Sequence, residues 1–190
     1  VKSRDVRSAY EEMKQKGVNI LTSPAPSPSG KEHFFIQDPW NNIFDVESDD
    51  YCFYNDHKNT GGNNGATLGV SDMDKSIKFY GSIMDYDKVE YDVTGVFDDL
   101  KGVPGGEFKV RRVMLTRSKD IEGPLSPVLG TSHIELIQRI DEEGVPAPRK
   151  LYEGRLWGDP GFIHLCFDGR NMQEVRKASE AMGHKFVCDS

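Results

Sequence analysis

The sequence has little cysteine, no long apolar run and no excess of basic residues. Its three cysteines, Cys52, Cys166 and Cys188, have no metal-type pair spacing. They therefore indicate reduced thiols, which are typical of a cytoplasmic protein. The apolar stretches are only a few residues long, too short for a helix that crosses a bilayer. Lysine and arginine number 24 against 31 aspartates and glutamates, and this acidic balance argues against a nucleic-acid or anionic-membrane surface.

The chain also lacks the short signatures of several enzyme classes. No Gly-x-Ser-x-Gly, His-Glu-x-x-His or dinucleotide fingerprint is present. With 190 residues, 36% of them apolar, the chain is long enough to bury a core without a disulfide framework. Because it opens at Val1 in a helical pattern and stops at Ser190 after a strand pattern, we expect both ends to cut through a structural unit.

What is present is a repeated pattern of strand, helix and strands. The segment DVRSAYEEMKQKGVNI aligns with NMQEVRKASEAMGHKFV, and each has a cap, apolar residues at helical spacing, a glycine stop and a strand. Such self-similarity predicts one supersecondary unit in several copies, the first copy without its leading strand. The predicted organisation is the C-terminal part of a first βαβββ module (1–50), a linker (51–64), a complete second module (65–140), a connecting loop (141–159) and the N-terminal part of a third module (160–190).

Strand alternation assigns side chains to faces within each copy. In the predicted strand Ser132–Gln138, Ile134 and Leu136 face the helix, so His133 and Glu135 lie on the opposite face, called here the inner face. The same alternation in the predicted strand Gly161–Phe167 places His164 on the inner face. An imidazole and a carboxylate that converge on an open sheet face suit a divalent Fe, Mn, Ni, Co or Zn ion better than calcium.

Four stretches together resemble the vicinal oxygen chelate superfamily, which includes glyoxalase I, extradiol dioxygenases and bleomycin-resistance proteins. They are GATLGVSDMDKSIKFYGSIMDYD, FFIQDPWNNIFDV, HIELIQ and GFIHLCF. The resemblance implies an α+β fold in which tandem βαβββ modules pair into curved, cup-like mixed sheets with the helices outside. It also implies a divalent metal, with Glu135 and His164 as two of its ligands.

The resemblance leaves the activity open between three alternatives. Glu135 favours a glyoxalase-like isomerase or lyase, which acts through the metal on a small molecule with two neighbouring oxygens. An extradiol-type dioxygenase would carry a histidine where this chain has Gly65. A metal-free, bleomycin-resistance-like protein would bind its small molecule in an apolar cup lined by Phe162, Ile137 and Thr67.

Two further interpretations concern a third metal ligand and the oligomeric state. If the closing strands of the first unit complete the third unit, Asp45 becomes an additional metal ligand beside Glu135 and His164. A degenerate repeat kept for pairing across a two-fold axis predicts a homodimer. Alternation also places one of Arg111 and Arg112 on the inner face, and the sequence favours an ordinary surface role for it.

Overall fold

Two mixed β-sheets with helices on their outer faces organise the chain. The computed structural model describes residues 1–140, 149–150, 153–156, 158–162 and 164–187. Sheet A contains β1 Lys2–Ser3, β2 Asn19–Ile20, β3 Ala25–Pro26, β4 Glu32–Gln37 and β5 Ile43–Ser48. Sheet B contains β6 Gly65–Gly69, β7 Lys88–Gly95, β8 Val110–Thr116 and β9 His133–Arg139. The helices are α1 Val6–Gln15, α2 Met73–Ile83, α3 Ser126–Leu129 and α4 Met172–Ala181, and a helical turn spans Asp98–Leu100. The predicted α+β class is thus confirmed.

The two sheets have the same strand order, which confirms the repeat. Sheet A runs β1-β5-β4-β2 and sheet B runs β6-β9-β8-β7. In both, the leading strand pairs in parallel with the closing strand. The prediction that the first copy lacks its leading strand is wrong, because Lys2–Ser3 forms it against β5. Two residues are too few for an alternation pattern to be visible in the sequence.

Each sheet buries its outer face against its own helix. Asp5 begins α1, since its side chain accepts a hydrogen bond from the backbone N–H of Ser8. Asp72 caps α2 in the same way through Lys75. The apolar residues on the side of each helix that faces its sheet then pack on that sheet. The first cluster comprises Val6, Ala9, Phe34 and Val46, and the second comprises Met73, Tyr86, Val113, Leu115, Ile134 and Leu136.

The inner faces of sheets A and B meet through a third apolar cluster. Phe35 of β4, Val110 of β8 and Leu100 of the helical turn are its buried members. Partly buried Ile43 and Ile137 extend it from the two closing strands. The first and second units therefore face each other, and the space between their inner faces is called the hollow below.

The third unit agrees with the prediction only in its helix. The predicted helix Asn171–Met182 is confirmed as α4. The predicted strand Gly161–Phe167 is wrong, because residues 161–162 and 164–167 form no strand. A strand persists only when another strand pairs with it, and none of the paired strands in the described part of the chain includes this segment. The strand predicted after Gly183 is also absent from residues 185–187, and Cys188 lies outside the described residues. Most of the predicted connecting loop (141–159) lies outside them as well.

None of the described helices is long and apolar enough to cross a membrane.

At Gly65, the leading strand of sheet B leaves no room for a side chain beside the closing strand. Its φ is +156°, and a Cβ built there would lie 2.1 Å from the carbonyl oxygen of His133. Gly69, at the other end of the same strand, has nothing within 4 Å of such a Cβ. Only a residue without a side chain fits at position 65.

Gly65→Ala is therefore expected to lower the free energy of unfolding by about 3 kcal/mol, since it adds both backbone strain and a steric clash. The matched control Gly69→Ala is expected to change it by less than about 1 kcal/mol. Urea denaturation of both variants checks this. Equal effects of the two substitutions would contradict the close approach at Gly65.

Candidate functional site

A chain of five charged side chains, four of them buried, crosses the hollow from sheet A to sheet B. It begins at Asp45, whose Oδ1 lies 3.0 Å from Nδ1 of His33. Nε2 of His33 lies 3.1 Å from Oδ2 of Asp99, in the helical turn of the second unit. Nη1 of Arg112 donates to the same oxygen at 2.6 Å, and its Nε donates to Oε1 of Glu135 at 2.7 Å. These five residues, here called the charge chain, alternate in sign from one end to the other.

Because four of its members are buried, each link of the charge chain is important for the stability of the fold. His33 and Arg112 are 1% exposed, Glu135 is 3% exposed and Asp99 is 7% exposed. A buried charge without a partner costs several kcal/mol, so each of these groups depends on its neighbours. The ring of Phe97 covers the guanidinium of Arg112, 4.9 Å from its Cζ. The charge chain therefore joins the two units as well as neutralising their carboxylates.

The protonation of the charge chain follows from this packing. Burial alone would lower the pKa of His33, but the hydrogen bonds and charges of Asp45 and Asp99 outweigh it and raise that pKa to about 9. Burial would raise the pKa of Asp99, and the bonds from His33 and Arg112 reverse this and lower it. At neutral pH, His33 is therefore a cation between two carboxylates.

Glu135 is the predicted ligand whose surroundings are best defined. Besides Arg112, its carboxylate accepts hydrogen bonds from the hydroxyls of Tyr91, at 2.6 Å, and Thr67, at 3.2 Å. Burial and the nearby charge of Glu135 raise the pKa of Tyr91 far above its usual value, so its hydroxyl stays protonated and donates. The carboxylate therefore has three donors from the chain itself.

A divalent ion does not fit this donor set as it is arranged. The guanidinium of Arg112 lies at the carboxylate of Glu135, where a metal would have to bind. His33 bonds to carboxylates through both ring nitrogens and is charged, so it has no lone pair to offer. No group of three or more His, Cys, Asp or Glu side chains that could hold a metal occurs in the part of the chain that the structure describes.

His164, the other predicted ligand, is exposed and lies in the segment that forms no strand. Its neighbour Phe167 packs near Tyr80 and Tyr86, against the cluster on the outer face of sheet B. Glu135 lies on the inner face of the same sheet, opposite Ile134. The three-ligand variant with Asp45 is wrong, because Asp45, Glu135 and His164 are all described and form no such group.

His133 shares the inner face of β9 with Glu135 and is half-buried. Burial lowers the pKa of His133, against the opposing charges of Glu47 and Glu135, so its imidazole is neutral at neutral pH. Glu47 in turn accepts hydrogen bonds from Lys31 Nζ at 3.1 Å and Asn64 Nδ2 at 2.8 Å. A neutral imidazole thus lies among carboxylates that already have cationic or amide partners.

Sequence reasoning missed the role of Arg112. Alternation correctly places one of Arg111 and Arg112 on the inner face, and the structure shows that it is Arg112. The surface role expected for it is wrong, because it is buried between Asp99 and Glu135. Asp99 lies in a turn with no periodic pattern, so nothing in the sequence pointed to this pairing.

The three residues expected to line an apolar cup each contact a different part of the structure. Thr67 bonds to Glu135, and Ile137 belongs to the apolar cluster between the sheets. Phe162 packs edge-on against Phe44, with ring centroids 5.3 Å apart. A cleft of about 160 Å³ is present instead on the outer side of sheet B, between β6, β9, α3 and residues 165–168.

Comparison with known proteins adds a limited fold similarity. No family model matches the chain, and no curated protein matches it. Among solved structures, the chain is similar to glyoxalase I from Zea mays and to a point mutant of that enzyme, each at 22% identity, with TM-scores of 0.42 and 0.45. The alignments cover 76% of this chain and 42% of the length of those proteins. A similarity of this size does not establish the activity.

Arg112→Met is expected to lower the free energy of unfolding by about 3–5 kcal/mol, because it leaves the carboxylates of Asp99 and Glu135 buried without their cation. Arg111, on the opposite face of β8, pairs with Asp74 and Asp92 at the surface. Arg111→Met is therefore expected to cost less than about 1 kcal/mol. Guanidinium denaturation compares the two, and similar losses would contradict the charge chain.

The pH dependence of stability provides a second test of the charge chain. The pKa of His33 is raised from 6.5 to about 9, so its stabilisation is complete below pH 6.5 and is lost as the pH rises through 9. Asp99 has a lowered pKa, so its stabilisation is present above the ordinary carboxylate range and is lost in acid. We expect the free energy of unfolding to fall by roughly 3 kcal/mol between pH 6.5 and pH 10.

In His33→Gln this alkaline loss is expected to disappear, whereas His57→Gln, at an exposed position, keeps it. Denaturation curves collected across the pH range measure the effect. An alkaline loss that persists in His33→Gln would refute the assignment.

Proposed function

We propose that this chain is part of a small-molecule-binding protein built on paired βαβββ units, in which the hollow at Glu135 carries no metal. The observation that carries the proposal is the arrangement around Glu135, whose carboxylate already accepts from Arg112, Tyr91 and Thr67. The chain itself thus supplies the positive charge that a divalent ion would otherwise provide. The cleft of about 160 Å³ beside β6 and β9 offers space for a small ligand.

The second candidate is a glyoxalase-like isomerase or lyase that uses a divalent metal and acts on a small molecule with two neighbouring oxygens, with Glu135 and His164 as ligands. One observation favours it. His133 lies beside Glu135 as a neutral imidazole, the form that binds transition metals. This candidate requires Arg112 to leave Glu135. No observation favours the extradiol dioxygenase, because the position of its histidine is Gly65, where a side chain would clash with His133.

Metal binding by the chain distinguishes the two candidates. We expect equilibrium dialysis against Zn²⁺, Ni²⁺, Mn²⁺, Co²⁺ or anaerobic Fe²⁺ to leave well under about one equivalent of metal on the protein, because the donors of Glu135 are already engaged. The variants for comparison are Glu135→Gln, His164→Ala and, as a matched control on the exposed strand β7, Glu90→Gln.

The contrary result is one equivalent of metal that is lost in Glu135→Gln and in His164→Ala but kept in Glu90→Gln. That pattern would favour the metal-dependent isomerase or lyase and would refute the metal-free proposal.

A further inference from the structure

The cleft on the outer side of sheet B has an apolar wall and a size that suits one ring. Its apolar lining comes from β6, β9, the region of α3 and the segment after His164, and includes Ala66, Ile121, Leu125, Leu129, Ile134, Leu165 and Phe167. A cavity of about 150 Å³ lined by apolar side chains is large enough to bind benzene. The cleft, at about 160 Å³, therefore matches a ligand with a single six-membered ring.

Arg117 provides a positive charge with spare donors at the edge of this cleft. It follows directly after β8, and its Nη2 donates to the carbonyl oxygen of Met84 at 3.1 Å. The guanidinium lies over the ring of Tyr86, 4.9 Å from the ring centroid. Its Nε is buried and has no hydrogen-bond partner. A buried donor without a partner is costly, and a carboxylate is the acceptor that best matches the planar fork of a guanidinium.

The remaining polar groups of the cleft restrict the charge of the ligand. The hydroxyls of Tyr86 and Ser132 are 2.8 Å apart and satisfy each other. Glu122 and Asp168 also line the cleft and are exposed. Arg117 and Glu122 also line a second cleft with Asp85, Asp87 and Asp120. These carboxylates repel a dianion, so the site favours a ligand with one negative charge and an uncharged body.

We propose that this cleft binds a small aromatic monocarboxylate, with the ring against the apolar wall and the carboxylate on the guanidinium of Arg117. The inference rests on the proposed small-molecule-binding function and names its ligand class. It places the ligand outside the hollow, on the face of sheet B opposite Glu135. Metal binding at Glu135 and carboxylate binding at Arg117 are therefore separate measurements, and either can fail without the other.

Benzoate is the probe for this site, and benzyl alcohol is its uncharged counterpart. Titration followed by NMR or calorimetry, with EDTA present, is expected to give a dissociation constant of about 1 mM or lower for benzoate. Benzyl alcohol and the variant Arg117→Gln are each expected to weaken binding about tenfold or more, because the charge-assisted hydrogen bond is lost. Equal affinity for benzoate and benzyl alcohol would overturn the proposal.

Arg139→Gln is the matched control for Arg117→Gln. Arg139 also has a buried Nε without a partner and lies over an aromatic ring, that of Phe108, but it does not line the cleft. Benzoate affinity is expected to be unchanged in Arg139→Gln. Equal losses in the two variants would show that the effect of Arg117 is not local and would overturn the assignment.

The two exposed cysteines give a test on the unaltered chain. Cys166 lines the cleft, whereas Cys52 does not, and both are free thiols. Benzoate at about ten times its dissociation constant is expected to slow the alkylation of Cys166 about tenfold and to leave Cys52 unchanged. Peptide mapping by mass spectrometry reads each site separately. Unchanged alkylation of Cys166 at saturating benzoate would refute the placement.

Discussion

The buried guanidinium of Arg112 is the contact on which the joining of the two units depends. It binds Asp99 and Glu135 at 2.6 and 2.7 Å with only 1% of its surface exposed. Water cannot compensate either carboxylate at this depth, so the three groups are stable only together. The interaction also fixes the register of β8, because a slip by one residue would turn Arg112 outward and bring Arg111 into the hollow. Electrostatics and strand register thus constrain each other.

The repeat, the two sheets and the inner-face position of Glu135 could be predicted from the sequence, since these depend on periodicity and local caps. The pairing of Arg112 with Asp99 could not be predicted, because it joins a strand to a turn 13 residues away in the chain and no pattern marks such a contact. The strand expected at 161–167 was wrong for a related reason. Alternation describes which face a side chain takes once a strand exists, but only a hydrogen-bonded neighbour makes the strand.

Cohesion between the units and ligand binding, two roles that a single cup would combine, belong to different parts of the structure. The hollow between the sheets is filled by the charge chain and by the cluster around Phe35 and Leu100, so it contributes mainly to cohesion between the units. The open space lies behind sheet B, where Arg117 has donors to spare. Ligand binding on an outer face leaves the inter-sheet contacts undisturbed, and the two tasks can therefore be altered independently.

Each closing strand carries a buried acid: Glu47 lies opposite Lys2 and Glu135 lies opposite Thr67 in the parallel registers. Each acid has a cation from the neighbouring strand region, but Lys31 is 44% exposed in its side chain, whereas Arg112 is 1% exposed. Water therefore reaches the ammonium of Lys31 and does not reach the guanidinium of Arg112. Two halves built on one pattern thus hold a buried acid in different ways: the cation of Glu47 is shared with solvent, whereas Glu135 depends on a cation that only the chain supplies.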